Sequence, residues 1–108
     1  MNIELVREVK RALNEVEFRF YLRRYLIRNI GSGRVQCLAC FTPPDLVEIA
    51  VQAQENAGAG IYATICEEIL HFLGWDDPQA RQASEVLAKR RDVRRSIRKK
   101  LKTMGIYM

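Results

Sequence analysis

Apolar residues recur at steps of three and four near both ends of the chain, and that spacing predicts amphipathic helices there. Val6, Val9, Leu13, Val16 and Phe20 form the first stripe. Asn2 offers an N-cap, and Glu4 places a carboxylate in the first turn. Helix 1 is expected from about Ile3 to Ile30. Its stripe loses its side beyond Glu17: Phe18, Tyr21, Leu22 and Tyr25 fall on other faces, while Arg24 and Arg28 move towards the first stripe. Either the helix kinks there or its second half is covered from two directions. Gly31-Ser32-Gly33 ends it, with Gly31 suited to the left-handed position after a helix.

The middle of the chain is shorter-grained. Val35 to Phe41 reads as a short strand or as two turns of buried helix, and periodicity does not separate these at such length. Thr42-Pro43-Pro44-Asp45 has the form of a helix start: a hydroxyl cap, a proline, and a carboxylate three residues on. Helix 2 is expected to continue to about Asn56 and to break at Ala57-Gly58-Ala59-Gly60. Helix 3 is expected from Ile61 to Leu73, with Ile61, Ile65, Ile69, Phe72 and Leu73 inward. Gly74 closes it, and Trp75 folds back on Leu70.

Helix 4 starts at Asp77-Pro78 and is expected to persist to about Met104. Val86, Val93, Ile97, Leu101 and Met104 share one narrow stripe, with Ala83 alongside. Gly105 stops it, and Ile106 touches Leu101. These elements predict a single domain over residues 1–108. Its expected fold class is all-α: four main helices, two long and outer, two short and central, in an orthogonal or bundle-like arrangement.

The chain has 108 residues, of which 48% are hydrophobic, enough for one real core. No apolar run approaches the roughly 18 residues of a membrane span, so no membrane partner is expected. The first residues lack the pattern of a signal peptide. Three cysteines, an odd number, suit a reducing compartment, and a cytoplasmic location is the expectation.

Charge changes the picture more than composition does. The net charge is +5, distributed unevenly. Residues 1–34 carry eight Lys/Arg against four Asp/Glu. Residues 35–80 carry seven acidic residues and no Lys or Arg, and residues 81–108 carry ten basic against two acidic. The run Lys89 to Lys102 holds nine basic residues, with Asp92 the one acid. On a helix, Arg91, Arg94, Arg95, Arg98, Lys99 and Lys102 fan over the side opposite the apolar stripe.

Arginine forks fit phosphate oxygens, and bound counterions are released when such a face meets a polyanion. The expected function is therefore non-enzymatic contact with the phosphate backbone of DNA or RNA, without sequence preference, as a small component of a nucleoprotein system. Arg23, Arg24 and Arg28 extend that surface, beside aromatics that can stack on bases. The alternative is a protein–protein interaction module, a regulator, inhibitor or assembly subunit. Its basic helix would meet an acidic protein surface, and its acidic middle a basic one. The charge segregation also permits self-association into a homo-oligomer.

Other chemistry has less behind it. Cys37-x-x-Cys40, Cys66 and His71 make up the inventory of a Cys3His zinc site. On helix 3, however, Cys66 points with the core and His71 lies about 140° away with Glu67 and Glu68. Glu68-x-x-His71 has the spacing of di-iron bundles, but the second such pair is missing. Glu67 and His71 read more simply as an exposed i,i+4 pair. No cofactor is expected. Gly31-Ser32-Gly33-Arg34 lacks the ending of a phosphate loop, and no motif supports a cysteine nucleophile, so nothing reads as an enzyme.

Overall fold

Asn2 caps α1 (Ile3–Glu15) through its side chain, which accepts the Glu4 N–H at 2.8 Å. The computed structural model describes residues 2–57 and 60–106. α1 buries Leu5, Val6, Val9, Ala12 and Leu13 on one face. It then stops far short of Ile30. Val16 turns extended, and from Phe18 the burial alternates: Phe18 is buried, Arg19 exposed, Phe20 buried. The aromatic and β-branched residues that follow favour strands. They form β1 (Arg19–Arg23) and β2 (Leu26–Ile30). The change of face near Glu17 is thus a change from period 3.6 to period 2.

Four further elements complete this region: β3 (Gly33–Cys37), β4 (Ala39–Thr42), β5 (Leu46–Ala50) and α2 (Val51–Ala57). β5 is the central strand of a three-stranded sheet. β1 pairs with it in parallel, Arg19 opposite Leu46, and β4 pairs antiparallel, Thr42 opposite Leu46. Val47 and Ile49 of β5 are fully buried. β2 and β3 form a separate antiparallel hairpin, closed by Gly31 at φ 59°. Thr42-Pro43-Pro44-Asp45 is the connection between β4 and β5 rather than a helix start, and the expected helix 2 shrinks to α2. The Ala57–Gly60 breaker includes Gly58 and Ala59, which lie outside the described residues.

α3 (Ile61–Phe72) falls within a residue of its expected bounds. Its start is held by a buried reciprocal pair, with Gln54 donating to Thr64 at 2.9 Å and Thr64 to Gln54 at 3.1 Å. Ile65, Cys66, Ile69 and Leu70 are fully buried, and Phe72 meets Phe18 and Phe41 edge-on. Gly74 adopts φ 94°, and the Trp75 N–H reaches back to the Leu70 carbonyl at 2.9 Å. This is the left-handed C-cap expected there.

The expected last helix is two. α4 (Asp77–Leu87) and α5 (Arg91–Lys102) are separated at Ala88–Arg90, with Arg90 extended. Leu87 and Val93 are both fully buried. Six positions apart on one straight helix, they would differ by about 120° and could not share a seam. The break lets each helix aim its own stripe inward: Ala80, Ser84 and Leu87 on α4, Val93, Ile97 and Leu101 on α5. Val86 is left exposed.

α5 lies alongside α1 in the same direction, because Lys10 meets Asp92 at one end and Lys100 donates to the Val16 carbonyl at the other. One core joins α1, β1, β5, α3, α4 and α5. The all-α, four-helix expectation is therefore replaced by an α/β fold, with five helices and five strands in two sheets among the described residues. The physical reason is pairing at a distance: β1 finds β5 across the whole hairpin, which no local pattern encodes. Among the described residues, no helix is long and apolar enough to cross a membrane.

Candidate functional site

Burying Val93, Ile97 and Leu101 forces the rest of α5 outward. Arg91, Arg94, Arg95, Arg98, Lys99 and Lys102 are all exposed. None of the six forms an ion pair among the described residues, where the ion pairs use Arg7, Lys10, Arg19, Arg23, His71, Arg81 and Arg90. Two are steadied by an aromatic side chain instead. The Arg94 guanidinium stacks 4.6 Å from the centre of the Tyr62 ring, and Arg98 donates to the Tyr62 hydroxyl at 3.4 Å.

Two of the remaining basic residues of the run, Arg90 and Lys100, serve the fold. Arg90 grips Asp92 with two hydrogen bonds, and Asp92 also accepts from the Val93 N–H and from Lys10. Arg90 first, with Val93 and Lys10 behind it, holds the Asp92 carboxyl down at about 2. Arg23, Arg24 and Arg28 do not continue a helix. Arg23 sits on β1 and is paired with Glu48, Arg24 follows β1, and Arg28 sits on β2 with its guanidinium on the Cys40 sulfur.

A second constellation lies at the end of α3. Helical spacing puts Glu67 and His71 one turn apart, with Glu68 beside them. The turn at Gly74 carries the Trp75 carbonyl to within 3.0 Å of His71 Nδ1. It also delivers Asp77, the first residue of α4, to 3.0 Å from His71 Nε2. One ligating atom each from Glu67, Glu68 and His71 lies within 4.8 Å of the others.

The expected exposed pair, Glu67 and His71, is in fact half-buried, because α3 is packed against both β4 and α4. The Glu68 side chain belongs to a residue only 4% exposed, and its Oε2 has no hydrogen-bond partner among the described residues. Glu67 Oε1 is likewise without one, and Arg81 Nε stands 3.5 Å from it without forming a hydrogen bond. Burial pushes the Glu68 carboxyl up to about 7. His71 opposes that rise, Glu67 and Asp77 add to it, and Arg28 opposes it.

The sequence-derived zinc set is not brought together as one group. His71 converges with glutamates, and no cysteine joins them among the described residues. Cys66 is fully buried in the core, with its thiol pushed up to about 12 by desolvation. Cys40 is buried on β4, and Cys37 is half-buried at the end of β3. Asp77 is the residue that the sequence pattern does not assign to a site, since it marks only the start of helix 4 there. Its position three residues after Gly74, and six after His71, was the available signal. No family model matches the chain, and no curated protein or solved structure matches it either.

Proposed function

We propose that α5 is a contact surface for the phosphate backbone of nucleic acid, without sequence preference. Its six exposed cations on one twelve-residue helix, without ion-pair partners among the described residues, carry the reading. The helix is about 18 Å long, close to the axial length of five base pairs. Its apolar seam is fully committed to α1 and the core, which leaves the cationic side to the outside. The Tyr62 stack holds Arg94 in place and lowers the entropy lost when it binds.

A salt titration of binding to generic duplex DNA and single-stranded RNA tests it. About four to six phosphate contacts give a log–log slope of roughly −3 to −5. Charge reversal at Arg95, Arg98 and Lys102 together is expected to abolish binding without touching the core. Absence of binding to either nucleic acid at low salt overturns the reading.

A second reading, a protein-interaction module, is favoured by a separate observation. Tyr21, Leu22, Tyr25, Ile27 and Val35 are all exposed on β1, the β2–β3 hairpin and the link between them. Strand alternation puts Ile27 and Val35 on opposite faces of the hairpin, so both faces of this region carry exposed apolar groups for a protein partner to cover. An Ile27→Asp, Val35→Asp variant separates the readings: it leaves nucleic-acid binding intact and loses any partner held by the hairpin.

A further inference from the structure

The His71 ring is held in a defined state. The Trp75 carbonyl can only accept, so Nδ1, 3.0 Å away, carries the hydrogen. Nε2 of a neutral ring then turns its lone pair towards Asp77 Oδ1 at 3.0 Å. Two lone pairs do not face each other at that distance without a cation between them. A histidine that donates one ring nitrogen to a backbone carbonyl and offers the other is the arrangement found at metal ligands, where the carbonyl fixes the tautomer.

The surroundings ask for more positive charge than one proton supplies. Three carboxylates, Glu67, Glu68 and Asp77, gather round one imidazole. Glu68 is nine-tenths buried, with an oxygen that has no partner among the described residues, and Glu67 Oε1 lacks a hydrogen bond there too, with Arg81 Nε 3.5 Å away. A lone buried carboxylate oxygen is costly, and a divalent ion would satisfy both at once.

We propose that Glu67, Glu68 and His71 hold one divalent first-row cation, with Zn2+ the best match. Asp77, 3.0 Å from His71 Nε2, stands beside it as acceptor for a water on the ion. An imidazole nitrogen with carboxylate oxygens and no thiolate suits zinc or its neighbours better than Mg2+ or Ca2+. Two ligands four residues apart on a helix, with a glutamate after the first, is a known way for helices to present a hydrolytic zinc. Here a carboxylate takes the first ligand position, and Glu68 after it is a ligand as well.

Three protein ligands leave a tetrahedral ion one position for water, the open form of site rather than the closed structural form. Access exists on two sides. Asp77 is 80% exposed. Glu67 also lines an open groove of about 350 Å³, together with Leu38, Ala63, Thr64 and Arg81.

The test uses the full chain stripped with a chelator and titrated with ZnCl2 alone. Trp75, the single tryptophan, reports the event through its emission, since its carbonyl is bound to His71. Calorimetry gives the stoichiometry. One equivalent is expected to bind, with Asp77→Asn and His71→Ala each weakening it at least about tenfold. Asp77 is exposed, so its variant keeps the fold and its outcome decides. A Cys37→Ser, Cys40→Ser variant is expected to bind as the parent does. No binding below millimolar zinc, undiminished binding by Asp77→Asn, or loss of zinc on removal of the two cysteines would each overturn the site.

Discussion

Truncating Ile97 and Val86 to alanine, one at a time, measures the break between α4 and α5 directly. On a continuous helix both belong to one apolar stripe. In the fold Ile97 is 0% exposed and Val86 is 47% exposed. Ile97→Ala removes three buried carbons, worth about 0.8 kcal/mol each, and leaves a cavity between α5 and the core, for a total of about 3–4 kcal/mol. Val86→Ala removes two half-exposed carbons, about 0.8 kcal/mol. Alanine's better helix propensity returns about 0.6 kcal/mol, so the net change is under about 0.5 kcal/mol. The unfolding entropy of a 108-residue chain is about 0.23 kcal/mol per kelvin, so Ile97→Ala is expected to lower Tm by roughly 15 °C. Urea melts followed by circular dichroism and by Trp75 emission give both values. Equal losses at the two positions would refute the break and restore a single seam.

Three further outcomes are expected. In the metal-free chain Glu68 has its folded pKa raised to about 7 by burial, so its contribution is favourable below about pH 4.5 and is lost as pH rises through about 7. Stability should fall across that window, and Glu68→Gln should flatten the slope in melts run between pH 4 and 8. Asp92 has the opposite sign: its depressed pKa stabilises above about pH 4, and that contribution disappears as pH falls through about 2. Asp92→Asn should therefore remove part of the acid sensitivity below pH 4, seen as a flatter acid-denaturation curve. Gly74→Ala adds a Cβ that meets nothing within 4 Å but sits at φ 94°, so backbone strain alone should cost about 1–2 kcal/mol in a urea melt.

The helical parts of this fold were readable because their signals are local. Asn2 before a 3.6-residue stripe, Gly74 before Trp75 and Gly105 before Ile106 each act within one turn. All three do in the structure what their spacing predicts. The middle was misread for two reasons. The segment Arg19–Ile30 reads as helix because its first residues continue the spacing of α1. The alternating burial of Phe18 and Phe20 was too short to outweigh that. Thr42-Pro43-Pro44-Asp45 has the residues of a helix start but serves as a strand connection, since Leu46–Ala50 is claimed by β1 and β4 on either side.

The same division runs through the candidate sites. The cationic side of α5 was legible, because exposing Arg91, Arg94, Arg95, Arg98, Lys99 and Lys102 follows from burying Val93, Ile97 and Leu101 on a short helix. The carboxylate–histidine cluster was legible only in its α3 half. Placing Glu67, Glu68 and His71 on one side of a helix is arithmetic on the sequence. Burying Glu68 and adding Asp77 required β4 and α4 to close over that side.

By itself, then, the sequence determined the capped helices and the charge that their exposed faces carry, since both depend on residues within a few positions of one another. Tertiary structure alone decided the strands, their parallel register, the break before α5 and the enclosure of Glu68. Each of these is set by contacts between distant segments, whose free energy is gained only after the chain has closed the loop between them.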